Sequence, residues 1–441
     1  MILIDVARSN YTGMLERAFS TPGGVLQARL TSKRADRTRG ARVGYARFEL
    51  RRGRDTILAI GVSAYEDQQT IDGIIAAAIV WLAAFNLHRR DDGRTCLLWL
   101  LLPRDLAQTA IERLTLITTA HLGARIECYE VDETDGYIRS LPIASQTELL
   151  SLHPKRLKWP RRPARDAARS FWRERILKLA PRLIEVRPSI DGEGEKYLIH
   201  GLEFARWQRG VFFGVNEWTS LTEDNFEAIE TLVREIGFYR RGDPPDRRHP
   251  FYRLRAEAWL ESILLRDIRA FDAALNDRFV YSQVPTWRAE ERSVLDLLAV
   301  TRHGRLVVIE IKATEAVNLP LQGIDYWLRV EEARRRNEFK RRGLFPGIDL
   351  ADSPPILYLV TPRLRFHRTF TEVAQFGGGI VANLNQLAHT PDVAPECAHL
   401  EQDDFVAPGA SYREEVGHGG ALKFQCCIHP WMRLEAQAST R

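Results

Sequence analysis

The chain has 441 residues, 45% hydrophobic, 9% aromatic and 27% charged, with a formal net charge of +5. That apolar content supports two or three buried cores and excludes a chain disordered throughout. No run reaches the ~18 apolar residues a membrane-crossing helix needs, and the five cysteines, Cys96, Cys128, Cys397, Cys426 and Cys427, are too few and scattered for a disulfide framework. Asp5 and Glu16 interrupt the apolar pieces of the first twenty residues, against a secretory leader. A cytoplasmic protein with no membrane partner is expected.

Over residues 1–150, strand-like and helix-like runs alternate. YARFEL (45–50) and TILAIGVS (56–63) read as strands, Ile71 to Phe85 as an apolar helix and CLLWLLLP (96–103) as a buried strand. A helix over Leu106 to His121 and a strand ARIECYEV (124–131) follow. This is the pattern of an α/β layer. No glycine-rich phosphate loop follows any of these strands, so the role of this separate N-terminal α/β domain stays open. A ligand-sensing domain and a degenerate copy of the C-terminal domain are the two readings.

Residues 151–250 read as a basic, proline-punctuated linking region with helices. Between Lys155 and Arg182 there are eleven Lys or Arg against only Asp166 and Glu174. Such a concentration is the electrostatic footprint of an anionic polymer, or else a solvated basic helix. Arg161, Arg162, Arg165, Arg169, Trp172 and Arg173 are the candidate nucleic-acid contacts. Trp159, Phe171 and Trp172 among these cations either stack bases or dock a helix on a core. A helix over 220–238 is expected to start at a Ser220 or Thr222 cap, and RRGDPPDRRHP (240–250) marks a boundary.

The stretch from Glu257 to Tyr326 carries the chemistry. A helical stripe of Leu260, Leu264 and Ile268 opens it, with Glu257 and Glu261 four residues apart. Strands FVYSQVP (279–285), SVLDLLAV (293–300) and RLVVIEIKA (305–313) follow, then a helix from Pro320 carrying Gln322 and Tyr326 on one face. Alternation puts Glu310 and Lys312 on one side of their strand, and a short turn makes the Asp296 strand an antiparallel neighbour. Charges buried in apolar strands cost several kcal/mol unless paired or bound to metal. Two carboxylates with oxygen-only ligation suit Mg²⁺ or Mn²⁺ rather than zinc, and a lysine beside them can position water or stabilise a phosphorane-like transition state.

EAWLES (257–262), VLDLL (294–298), IEIK (309–312) and QGIDY (322–326) resemble the PD-(D/E)xK nuclease superfamily, particularly its RecB-like and NucS-like branches. The resemblance covers about 255–375, including the strand ILYLV (356–360), within a domain taken as 251–375. It implies a restriction-endonuclease-like domain, with a mixed central sheet flanked by helices, and metal-dependent cleavage of nucleic acid. Asp296 and Glu310 would be metal ligands and Lys312 the catalytic lysine. Glu261 would be the helix carboxylate, preferred over Glu257, and Gln322 and Tyr326 would position substrate. Asp296 follows Leu295 where the pattern has proline.

The expected function is a Mg²⁺- or Mn²⁺-dependent nuclease acting on DNA in preference to RNA, with a homo-oligomer left open. A non-catalytic nucleic-acid-binding protein, and a nuclease domain controlled by a sensing N-terminal domain, are the alternatives. Cys397, His399, Cys426, Cys427 and His429 match no usual zinc spacing. Arg363 and Arg365, beyond the 356–360 strand, are candidate phosphate contacts. Residues 376–441 carry eight acidic against four basic residues and read as a tail, mobile or covering the last domain.

Overall fold

The structure, a computed structural model, describes residues 2–19, 26–30, 45–53, 55–64, 68–88, 96–114, 124–143, 156–157, 167–189, 194–288, 291–361, 421–425 and 433–437. The chain forms two compact units: 1–154 with 316–325 and 367–382, and 155–315 with 326–366 and 383–441. Both mix helices and sheets.

The first unit contains α1 (Ile2–Phe19), β1 (Leu26–Leu30), β2 (Tyr45–Arg52), β3 (Asp55–Val62), α2 (Gln68–His88), β4 (Cys96–Pro103), α3 (Arg104–Leu114), β5 (Ala124–Asp132) and β6 (Tyr137–Leu141). Its sheet runs in the order β1-β2-β3-β4-β5-β6, with β3, β4 and β5 parallel and the outer pairings antiparallel. Every residue of β4 is buried because both faces are covered. Leu98, Leu100 and Leu102 pack with Ile71, Ile75 and Ile79 of α2, while Leu97, Trp99 and Leu101 pack with Leu15 and Phe19 of α1. The helix expected to reach His121 is described to Leu114, and 115–123 lie outside the described residues. Among the described residues, no helix is long and apolar enough to cross a membrane.

In the second unit, β7 (Arg156–Leu157) and α4 (Ala167–Leu179) precede β8 (Ile184–Pro188), β9 (Glu195–Ile199), β10 (Leu202–Trp207), β11 (Val211–Phe213), β12 (Thr219–Ser220) and α5 (Phe226–Tyr239). The segment expected as a linking region with helices therefore also builds a five-stranded antiparallel sheet, in the order β12-β11-β10-β9-β8. Its core joins Tyr197, Ile199, Phe204 and Trp207 to Ile176 of α4 and to Ile229, Val233 and Ile236 of α5. These strands have two to six residues, too few for a period-2 pattern to stand out. Helix α5 starts later than its expected Ser220 or Thr222 cap, because Thr219 and Ser220 pair with β11. Asn225 precedes the helix instead, its side chain accepting from Thr222 N–H at 2.8 Å and donating to Ser220 O at 2.9 Å.

Next come α6 (Pro250–Arg253), α7 (Ala256–Arg266) and α8 (Ile268–Phe271). The helical stripe expected to run unbroken is interrupted at Asp267, whose carboxylate accepts the Ala270 N–H at 3.0 Å and caps α8. The remaining elements are β13 (Tyr281–Arg288), β14 (Glu291–Val300), β15 (Leu306–Ile311), α9 (Leu319–Arg335), α10 (Glu338–Arg341), β16 (Ile356–Val360), β17 (Ala421–Gln425) and β18 (Arg433–Gln437). A mixed sheet runs β16-β15-β14-β13-β7, with β16 parallel to β15 and the other pairs antiparallel. Arg329 of α9 donates to the hydroxyls of Thr286 on β13 and Ser293 on β14, pinning the helix to this sheet.

Arg240 joins the two layers of the second unit. Fully buried, it donates to His200 O (2.9 Å), Phe251 O (2.8 Å), Leu254 O (2.6 Å) and Arg255 O (3.2 Å), and lies 4.7 Å over the Trp259 ring. Burial lowers its pKa to about 10, so it stays charged at neutral pH. The fork thereby satisfies carbonyls at the β9–β10 turn, the end of α6 and the entry to α7. Gly201 in that turn has φ +76°, and a Cβ there would come within 1.9 Å of Ala258 O, so the turn rests on the backbone of α7. Arg240→Met keeps the side-chain bulk but orphans these acceptors. A loss of about 3 kcal/mol or more is expected, read from the urea midpoint at unchanged m; an unmoved midpoint would contradict this role.

Candidate active site

Strands β14 and β15 bring the sequence-predicted carboxylates together. Leu297 pairs with Ile309 and Leu298 with Val308, so one step onward Asp296 comes alongside Glu310, and their carboxyls are within hydrogen-bonding reach. Ile309 and Ile311 pack with Leu260 and Leu264 of α7, holding that helix against the strands. Lys312 lies just past β15, but its N–H still donates to Val360 O at 2.9 Å, extending the ladder by one bond. Its Nζ is 3.7 Å from Glu310 Oε1 and 3.8 Å from Glu257 Oε1. Asp296, Glu310 and Lys312 therefore converge as their spacing implies.

The two helix carboxylates occupy different places. Glu257 is half exposed beside Lys312, whereas Glu261 is buried, with Oε1 3.1 Å from Arg187 Nη1. Glu261 Oε2 accepts from Gln283 Nε2 at 3.1 Å, and the same nitrogen donates to Asp296 Oδ1 at 3.4 Å. Asp296 Oδ2 accepts the Ile311 N–H at 2.8 Å. Arg187 also pairs with Glu185 at 2.8 Å, and Glu185 accepts from the Ser262 hydroxyl next to Glu261. Gln283 and Arg187 were not singled out from sequence. Gln283 is a polar residue in an alternating strand, a visible but weak signal, and nothing local marks Arg187.

Burial drives the electrostatics. Glu261 is raised to about 7, first by desolvation and further by Asp296, with Arg187 opposing. Desolvation raises Asp296, opposed by the Ile311 N–H and Lys312. Glu310 stands well above the ordinary carboxylate range, through burial and then the neighbouring Asp296, while Lys312 pulls it down. Glu310 Oε2 is buried with no hydrogen-bond partner among the described residues. A buried acceptor of this kind is expensive unless something fills it.

Among the described residues, no three His, Cys, Asp or Glu side chains gather closely enough to hold a metal ion by themselves. Mg²⁺ is commonly bound through only one or two carboxylates, with water and substrate phosphate completing the octahedron. The Asp296 and Glu310 donor set has that chemistry, and the open oxygen of Glu310 is the ligand atom it needs. Lys312, an oxygen-seeking cation, stands beside it.

The other predicted residues fall elsewhere. Tyr326 is buried in the second unit with Arg329 5.6 Å over its ring, while Gln322 lies in the first turns of α9, which group with the first unit. Its neighbour Leu321 packs there with Ile75 and Leu98. Trp172 docks on the core of the antiparallel sheet, stacked 6.2 Å from Phe226, so of its two readings the structure gives the docked one. Arg169 and Arg173 pair with Glu195 at 3.9 and 3.0 Å, Arg169 largely buried and Arg173 with 46% of its side chain exposed. Arg161, Arg162, Arg165, Arg363, Arg365, Cys397, His399, Cys426, Cys427 and His429 lie outside the described residues.

No family model matches the chain, and no curated protein matches it. Among solved structures it is similar to the crystal structure of protein VC1899 from Vibrio cholerae, at 13% identity over 74% of this chain and 78% of that one, with a TM-score of 0.18.

The raised carboxylates set a sign for pH dependence. Their folded-state pKa values exceed the unfolded ones, so the fold binds more protons and loses stability as pH climbs from the ordinary carboxylate range through about 7, where Glu261 titrates. Glu310→Gln removes one buried charge. In chelator-treated protein it is expected to raise Tm by a few degrees at pH 8 and to change it little at pH 5. A lower Tm at pH 8 would contradict the assignment.

Proposed function

We propose that this protein is a metal-dependent nuclease of the PD-(D/E)xK type, with the mixed sheet of the second unit and its helices serving as a restriction-endonuclease-like domain. One observation carries the reading. A carboxylate oxygen of Glu310, Oε2, is buried with no hydrogen-bond partner assigned among the described residues, the Asp296 carboxyl lies alongside it, and Lys312 stands 3.7 Å from the same carboxylate. An unfilled, buried carboxylate oxygen beside a second carboxylate is an acceptor that a divalent cation can fill.

Asp296 and Glu310 would hold Mg²⁺ or Mn²⁺, which would supply Lewis-acid activation of water and offset the charge that builds on the phosphate. Asp296 is aimed at that position by the Ile311 N–H, which fixes one carboxylate oxygen and leaves the other to Gln283. Lys312 presents its ammonium to the attacking water or a non-bridging phosphate oxygen, as a point charge that strengthens in a desolvated site. The half-exposed Glu257, 3.8 Å from Lys312, holds that ammonium at the solvent side of the pair. The leaving 3′ or 5′ oxygen takes its proton from solvent. DNA is the preferred substrate by the resemblance.

Purified protein incubated with labelled single-stranded DNA, duplex DNA and RNA should cut at least one of them in Mg²⁺ or Mn²⁺ and none in EDTA. Asp296→Ala and Lys312→Ala should each lower cleavage by at least ~10²-fold. Binding without cleavage in every metal would sink the nuclease reading in favour of a binding module.

A further inference from the structure

Gln283 has φ +52°, a left-handed conformation in the middle of a β-strand. For a residue with a side chain this costs on the order of 1–3 kcal/mol, and it persists only where the surroundings enforce it. An inserted residue would explain such a kink, since a bulge shifts register. Here the register does not shift: Ser282 pairs with Leu297 and Val284 with Leu295, so the ladder resumes in step on either side. The backbone gains nothing from the distortion. The side chain does, because its single NH₂ group donates one hydrogen to Glu261 and the other to Asp296.

We propose that Gln283 is a positioning residue, which spans Glu261 and Asp296 with a neutral double donor and thereby sets Asp296 as a ligand for the divalent cation. The inference rests on the reading that Asp296 and Glu310 hold that cation. Three carboxylates crowd this site, and a cationic spacer would compete with the metal for Asp296. An amide offers hydrogen bonds without charge, so it steadies both carboxylates and leaves Asp296 its full negative charge. Arg187 completes the division of labour by pairing with Glu261 at 3.1 Å. Glu261 is thus held by Arg187 and Gln283, while Asp296 is steadied by Gln283 and the Ile311 N–H with no cationic group hydrogen-bonded to it in the way of the ion. Gln283 touches neither the ion nor the substrate in this arrangement and acts only through the carboxylates.

The discriminating variant is Gln283→Gly, which relaxes the backbone while removing the amide. It should melt at or above the wild-type temperature, bind Mn²⁺ at least ~10-fold more weakly by titration calorimetry, and cut more slowly at saturating substrate. Gln283→Met should weaken Mn²⁺ binding similarly, and in a Glu261→Gln background the further effect of Gln283→Met should shrink. A purely structural role predicts the reverse: lower Tm in Gln283→Gly with Mn²⁺ affinity unchanged, and that result overturns the proposal. Unaltered Mn²⁺ affinity in both variants overturns it as well. A wild-type protein that binds Mn²⁺ but cuts no nucleic acid would refute the nuclease reading alone, and a Gln283-dependent affinity would still support the positioning role.

Discussion

Placing Glu261, Asp296 and Glu310 together in a dry part of the second unit creates a like-charge repulsion that the neighbouring elements answer. Desolvation pushes all three carboxyls above their ordinary range, helped by the charge of Asp296 at Glu261 and Glu310 and by that of Glu257 at Asp296. Each compensating group comes from a different element: Arg187 from β8, Gln283 from β13, the Ile311 N–H at the end of β15 and Lys312 just beyond it. None is adjacent to another in sequence except the last two. The site therefore exists only if the antiparallel sheet, α7 and the mixed sheet are docked together, which is what Arg240 does by tying the β9–β10 turn to the entry of α7.

This dependence gives the segment between the two α/β layers a different standing. Its arginines looked like a solvated electrostatic footprint, yet Arg169 and Arg173 are drawn to Glu195, Trp172 packs on the core, and Arg187 reaches the carboxylates. Charge in a sequence reports attraction to anions and leaves the location of those anions open. Here several of them are glutamates of the same unit.

The parts of the site carried by regular alternation were legible. A carboxylate in each of two apolar strands, with a lysine two residues after the second, cannot be placed without bringing Asp296, Glu310 and Lys312 to one spot, and ILYLV reads as the buried strand that it is. Gln283 was not legible because its role depends on a left-handed backbone that no local propensity predicts for glutamine. Arg187 was missed because its partner lies 74 positions on, at Glu261, across a contact between the antiparallel sheet and helix α7. The strands β8 to β12 escaped because two to six residues give too little alternation to read. Gln322 and Tyr326 shared a helix face on paper, but α9 passes from one unit to the other between them, so helical spacing alone could not assign both to one site.

The central claim is that the crowded carboxylates, their pKa values raised by burial, are a cation site. Titration calorimetry of Mn²⁺ into the full chain at pH 6.5, in two buffers of different ionisation enthalpy, tests it directly. Binding should release protons as the raised carboxyls ionise on meeting the ion, so the observed heat should depend on the buffer. The dependence should shrink in Glu310→Gln. No binding, or binding with the same heat in both buffers and in the variant, would contradict the account.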